Sequence, residues 1–210
     1  MNTSVIPNLL DVSLCLVALF ISVRSFDLYS HLRHYRIFIL GLSMVLVSLS
    51  AAADFISSYV TVINLSTDWF LYIGQAVGFL FIALSLVQSS DKYLHGLLRL
   101  NILAFILLLL LLILSPVLPN LSDISTRTLL DFPRLIFCIL ILCAYFSAYI
   151  SKPTRFSLFM STSFFFFTVD YLMTLGRYLV PASDQFLFRD LGDIAGVLAV
   201  VVLVAAVSTD

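Results

Sequence analysis

Seven long apolar segments follow one another along the chain, and short polar stretches separate them. Each segment is close to the roughly 20 residues that an α-helix needs to cross a bilayer. The predicted spans are 5–23, 37–59, 69–87, 97–118, 129–150, 156–180 and 186–207. This pattern predicts an all-α integral membrane protein that forms a single seven-transmembrane-helix bundle over residues 1–210.

The charges of the connecting stretches predict the orientation of this bundle. Basic residues occupy the first, third and fifth connections: Arg24, His31, Arg33, His34 and Arg36; Lys92, His95 and Arg99; Lys152 and Arg155. The alternate connections carry the acids Asp68, Asp123 and Asp184, with only Arg127 at a helix edge. Because basic loops stay on the cytoplasmic side, the N-terminus is expected outside and the C-terminus inside.

Three glycosylation sequons agree with this orientation. They begin at Asn2, Asn64 and Asn120, and all three fall on the predicted outer side. The alternative interpretation is coincidence in serine-rich loops, and in a bacterial protein the sequons carry no meaning.

The composition supports the membrane class and excludes others. The chain is 61% hydrophobic and 11% charged, whereas a soluble surface needs far more charge. A net charge of −1 provides no basic field for nucleic acid. The expected surroundings are therefore the lipid bilayer, although the composition does not identify which membrane.

For two stretches of the chain, the sequence predicts more than whether they cross the membrane. The first connection, 25–36, is about a dozen residues long and is expected to be a loop or an interfacial helix. The fourth span is almost pure Leu and Ile from Ile102 to Leu114 and is expected to face lipid or to fill space. If it faces lipid, exchanging Leu108 or Leu110 for another large apolar residue is expected to be nearly silent.

Two spans carry small residues four positions apart, which let neighbouring helices approach closely. Gly74 and Gly78 belong to the third span, and Gly192 and Gly196 belong to the seventh. These patterns predict tight helix packing and no particular chemistry.

Polar side chains inside the spans gather at one depth, one to two turns below the predicted outer surface. The candidate ligand-binding residues are Asp54, Gln75, Asp131, Arg134, Asp170, Arg177, Arg189, Asp190 and Asp193. With Asp11 included, this layer has six acids and three bases, so three acids lack a basic partner. Such acids must be protonated, hydrated or bound to a cation, which favours a water-accessible pocket. The alternative is a set of ion pairs that only hold helices together.

The spacing of these charges also predicts pairs. Residues three, four or seven apart share a helical face, as Asp131 and Arg134 do. We expect Arg189 to pair with Asp193 or Asp170, and Arg177 to pair with Asp190 or Asp131.

The predicted spans lack the residues that would hold a retinal or a haem group. A retinal pigment needs a Schiff-base lysine inside a span, but the lysines are Lys92 and Lys152, both in predicted inner loops. Haem needs axial ligands at membrane depth, but His31, His34 and His95 lie at the predicted inner interface. No cofactor, metal ligand or catalytic residue is therefore expected.

One enzyme family shares a local pattern with the sixth and seventh spans. Val169-Asp170-Tyr171 and Asp190-Leu191-Gly192-Asp193 resemble the Tyr-Asp and Gly-x-Gly-Asp motifs of intramembrane aspartyl proteases. The resemblance covers four or five residues and implies two carboxylates that share a proton during peptide hydrolysis. The sequence departs from the family in having Asp190 at the first glycine, the reversed Asp-Tyr order and no following Pro-Ala-Leu.

The leading functional hypothesis is a sensor- or receptor-type membrane domain that binds a small ligand or ion from the outer side. Its basis is the polar layer together with an analogy to compact seven-span input modules. The alternatives are a non-catalytic subunit with a membrane protein partner and a proton- or ion-coupled transporter. Intramembrane proteolysis is the remote alternative.

Overall fold

The computed structural model describes residues 5–59, 66–87, 90–119, 121, 124–181 and 185–208. Over these ranges the chain contains seven α-helices, a short 3-10 turn and no strand. The helices are α1 (Val5–Leu32), α2 (Tyr35–Tyr59), α3 (Asp68–Val87), α4 (Asp91–Ile113), α5 (Ile124–Ser151), α6 (Arg155–Leu179) and α7 (Gln185–Ser208).

Six of these helices, α1 to α6, are long and apolar enough to cross a membrane. Helix α7 carries Arg189, Asp190 and Asp193 within its first three turns. The prediction of an all-helical, multi-pass membrane chain is confirmed at this level. The seventh crossing and the orientation of the termini stay predictions.

The predicted end of the first helix before residue 25 is wrong, because α1 continues as helix through residues 25–32. No Gly or Pro interrupts residues 25–32, and the extra turns pack on α2 through ring contacts. Phe38 lies 5.2 Å from Phe26 and 4.9 Å from Tyr29, measured between ring centroids. The helix ends at Leu32, and the left-handed φ of 56° at the next residue, Arg33, stops it, so only Arg33 and His34 separate α1 from α2.

The chain divides into two compact units, and the first is Asp11–Ser122. Within it, α2 and α3 pack closely at the two predicted glycines. A Cβ added at Gly78 would lie 3.0 Å from Val47 Cγ2 and 3.1 Å from the Ser43 carbonyl oxygen. At Gly74 the nearest atom would be Ser50 Cβ at 3.4 Å. A methyl group at Gly78 would require Val47 or the α2 backbone to shift, so α3 approaches α2 closely there, as predicted.

Helix α4 is only partly as predicted. Leu103, Leu107 and Leu110 are exposed on its outer face, as expected for a lipid-facing helix. Leu108 is 5% exposed and packs in a core cluster with Leu46, Ala53 and Phe70. The expectation that Leu108 is lipid-facing is wrong, because uniform leucine composition does not show which face of the helix a neighbour covers.

One polar contact fixes α4 against α2. Asn101 is fully buried, and its Nδ2 donates to Ser43 Oγ at 3.3 Å and to the Ile39 carbonyl at 3.4 Å. At the other end of α4, the Pro119 carbonyl accepts from Trp69 Nε1 at 2.9 Å and from Ser66 Oγ at 3.1 Å. These bonds join the exit of α4 to the start of α3.

The second unit comprises Met1–Leu10 and Asp123–Asp210 and contains α5, α6 and α7. Helix α6 begins at a capping box, in which Thr154 Oγ1 accepts from the Ser157 amide at 3.1 Å. Such a cap satisfies amides that lack helical partners. Ser163 Oγ then donates to the Ala199 carbonyl of α7 at 2.8 Å. This bond fixes α6 and α7 as neighbours.

Candidate ligand-binding site

A buried ion pair on α5 forms the centre of the candidate site. Arg134 Nη1 donates to Asp131 Oδ1 at 2.6 Å, and the two side chains are 7% and 1% exposed. The spacing of three residues places both on one face of α5, as the sequence predicts. Pro133 lies between them inside the helix. Since proline has no N–H, it cannot donate to the carbonyl of residue 129, one turn earlier.

Tyr171 of α6 covers the arginine of this pair. The guanidinium carbon of Arg134 lies 5.2 Å from the centroid of the Tyr171 ring, which is within the range of a cation–π contact. Tyr171 itself is 8% exposed. The Arg134 charge is therefore held between a carboxylate of its own helix and an aromatic face of the next.

Asp170, the neighbour of Tyr171 in sequence, lies against α7. A Cβ added at Gly192 would lie 3.2 Å from Asp170 Oδ1 and 3.5 Å from Met173 Cβ. The absence of a side chain at Gly192 thus leaves room for this carboxylate. The contact brings Asp170 beside the α7 stretch that includes Asp193, the pair of acids on which the resemblance to aspartyl proteases rests.

Arg177 and Arg189 are the other two arginines of the candidate site. The guanidinium carbon of Arg177 lies 5.4 Å from the centroid of the neighbouring Tyr178 ring. Arg189 Nε lies 4.0 Å from Asp190 Oδ1, and the Asp190 side chain is 68% exposed. An exposed pair at this distance contributes little. The pairs predicted for Arg177 and Arg189 stay predictions.

Seven of the predicted site residues thus belong to α5, α6 and α7 of the second unit. The other two belong to the first unit. Gln75 is 4% exposed on α3, and Asp54 lies in α2 with its side chain outside the described part of the chain. The predicted glycosylation residues Asn2, Asn64 and Asn120 also lie outside the described residues.

One oxygen of the central pair has no hydrogen-bond donor. Asp131 Oδ2 is buried, and no donor reaches it within the ranges that the structure describes. A buried, unsatisfied carboxylate oxygen is costly, because it has lost its water without gaining a replacement. The oxygen is therefore suited to accept from a ligand N–H or O–H group, from water, or to contact a cation.

Two members of this arrangement were not predicted from sequence. Tyr171 faces Arg134, and Cys138, fully buried, follows Arg134 by one helical turn on the same face. The spacing of Arg134 and Cys138 was visible in the sequence, whereas the contact with Tyr171 depends on the rotation of α6. Among the described residues, no three His, Cys, Asp or Glu side chains are grouped to hold a metal ion. No protein-family model, curated protein or solved structure matches the chain.

Proposed function

We propose that this chain is a sensor- or receptor-type membrane domain of seven spans, with the N-terminus outside and the C-terminus inside. Its α5–α7 unit binds a small ligand or ion among the polar side chains of the outer half. The orientation is supported by the basic first, third and fifth connections. The sensor role is supported only by an analogy of architecture, seven apolar segments joined by short connections.

The observation that carries the binding function is the unsatisfied Asp131 Oδ2. A purely structural ion pair is stabilised when both carboxylate oxygens have partners. Here Arg134 donates to one carboxylate oxygen, and no donor among the described residues reaches the second. Binding of a partner at this oxygen would offset the cost of its burial.

The surroundings of this oxygen favour a ligand with a positive charge or a hydrogen-bond donor. The carboxylate attracts positive charge, and its free oxygen accepts hydrogen bonds from charged donors. A small ammonium group combines a charge with N–H donors, and a sodium ion supplies a charge alone. Both are therefore suitable probes of the site.

The test compares methylammonium, sodium and tetramethylammonium chlorides at equal ionic strength on the purified full chain. Tetramethylammonium has the same charge, but its four methyl groups leave no N–H donor and keep the charge farther from a carboxylate oxygen than in sodium or methylammonium. We expect the melting temperature to rise with methylammonium or sodium and to be unchanged with tetramethylammonium. At a ligand concentration of about 100 Kd, linkage predicts a stabilisation of roughly 2.7 kcal/mol.

The same titration on Asp131→Asn removes the negative charge but keeps a side chain of equal size. We expect the ligand-dependent shift to disappear in this variant and to persist in Asp91→Asn, an exposed acid at the start of α4. A wild-type melting temperature equal in all three salts would contradict the proposal. A shift that survives in Asp131→Asn would place the binding elsewhere.

A further inference from the structure

Aromatic rings bring three helix ends together in the Asp11–Ser122 unit. Tyr35, at the start of α2, lies 6.4 Å from Tyr29 near the end of α1 and 4.1 Å from His95 in the first turns of α4, between ring centroids. Tyr93 OH donates to the Leu84 carbonyl near the end of α3 at 3.3 Å. All four helices of this unit therefore contribute to one end, which we call the basic end.

The basic end carries a surplus of positive charge. Its exposed basic residues are Arg24, His31, Arg33, His34, Lys92, His95 and Arg99. Together with the half-buried Arg36, residues 24–36 and 91–99 contain five Arg or Lys residues and two Asp residues, Asp27 and Asp91, so 5 − 2 gives +3 before any histidine is charged. This charge is concentrated on a unit whose helices are otherwise strongly apolar.

The basic end also has side chains of the types that are common at the level of the lipid headgroups. Tyr29, Tyr35 and Tyr93 lie where the apolar helices meet the charged stretches, and tyrosine is enriched at this level of membranes. Arg36 Nε is buried and has no acceptor within the described part of the chain. It therefore keeps a donor for which a phosphate oxygen is a suitable partner.

We propose that the basic end binds the headgroups of anionic phospholipids. The adjoining ends of α1, α2 and α4 carry the cations, and the apolar faces of the helices would extend into the acyl chains below. A bilayer with negative headgroups satisfies both features at once, because its phosphates attract the cations while its tails cover the exposed leucines. The proposal concerns the first unit and is independent of ligand binding by α5–α7.

The test measures lipid selectivity of the full chain reconstituted in phosphatidylcholine. Spin-labelled phosphatidylglycerol and spin-labelled phosphatidylcholine are added separately, and the fraction immobilised at the protein gives their relative association constant. We expect phosphatidylglycerol to be preferred, and the preference to fall as salt is raised, because exposed charges are screened. Equal association of the two lipids with the wild type would overturn the proposal.

Two double variants change the charge of the basic end in opposite directions. Arg33→Gln with Lys92→Gln should lower the preference by up to roughly 30-fold, which corresponds to about 1 kcal/mol for each of two juxtamembrane cations. Asp27→Asn with Asp91→Asn should raise it. This second variant keeps the test valid if the first folds poorly, because a selectivity that fails to rise would contradict the proposal.

A matched control removes two cations from the other unit. Lys152→Gln with Arg155→Gln changes the net charge by the same amount as the first variant, at exposed residues between α5 and α6. We expect a smaller effect than at the basic end, and an equal effect would show that total charge rather than this surface determines selectivity. Inorganic phosphate and chloride at matched ionic strength should displace the lipid equally. Specific displacement by phosphate would assign the surface to free phosphate instead.

Discussion

The ion pair between Asp131 and Arg134 combines a short contact with deep burial. Removing two charges from water is costly, and their mutual attraction offsets that cost only with good geometry and further hydrogen bonds. The 2.6 Å contact provides the geometry, and the Tyr171 face provides additional attraction for the arginine. Each member of the pair therefore contributes more to the stability of the fold when its partner is present than when it is alone.

Asp131→Ala should destabilise the chain by about 3–5 kcal/mol, because Arg134 would be left as a buried charge without its carboxylate. Asp190→Ala should cost about 0–1 kcal/mol, because this exposed acid lies 4.0 Å from Arg189. The measurement is the free energy of unfolding in detergent. Equal losses for the two variants would contradict the assignment of Asp131 to a buried pair. A double variant that also lacks Arg134 should recover part of the loss.

The sequence predicts this pair from spacing alone, since residues three apart on a helix share a face. It does not predict the partner of Arg134 on α6. Tyr171 and Asp170 are adjacent in sequence and so project in different directions from their helix, and only packing decides which of them faces α5. The structure turns Tyr171 toward Arg134 and Asp170 toward Gly192.

Helix-to-helix contacts depend on a few positions where an extra atom does not fit. Gly78 packs against the Ser43 carbonyl, which belongs to a helix backbone and cannot move independently. Gly96 on α4 has no atom within 4 Å of an added Cβ. The two glycines therefore share a conformation but differ in surroundings.

Gly78→Ala should destabilise the chain, because α3 must move away from α2 to accept the methyl group. Gly96→Ala should stabilise it by roughly 0.5–1 kcal/mol, since alanine lowers the entropy lost on helix formation. Thermal unfolding of the two single variants provides the comparison. A stabilising Gly78→Ala would show that the close approach of these helices is not required.

The two leucines of α4 provide a second comparison within one element. Leu108→Ala should cost about 2–5 kcal/mol, as is typical for a buried leucine replaced by alanine. Leu110 is 49% exposed, and Leu110→Ala should be nearly neutral because lipid replaces the lost contact. Folded yield and unfolding free energy measure both effects. Equal losses would show that α4 is covered on its outer face as well.

At the scale of the whole chain, the lengths of the apolar segments are what made the helices predictable. Spans inferred near 20 residues correspond to helices of 20 to 28 residues, because the predicted limits follow hydrophobicity, whereas the helices continue into polar residues. Helix α4 begins at Asp91 rather than near Leu97 for this reason. The ends are set by local chemistry, such as the Thr154 cap and the left-handed Arg33, which hydrophobicity does not reveal.

The proposed orientation predicts the accessibility of four exposed positions. Single cysteines at Ser125 and Gln185 should react with a membrane-impermeant thiol reagent in intact cells, once the accessible native cysteines are replaced by alanine. Cysteines at Ser90 and Ser151 should react only after permeabilisation. All four positions are exposed at or beside helix ends. The opposite pattern would reverse the proposed topology.

The short connection between α1 and α2 has a consequence for how the chain is assembled. From Leu32 to Tyr35 there are three Cα–Cα steps, which span at most about 11 Å. Two packed helices already need about 8–10 Å between their axes. The joined ends of the two helices therefore cannot move far apart, and we expect the pair to enter the lipid as one hairpin. An exchange of α2 between two copies of the chain during biosynthesis would first require unwinding of the last turns of α1.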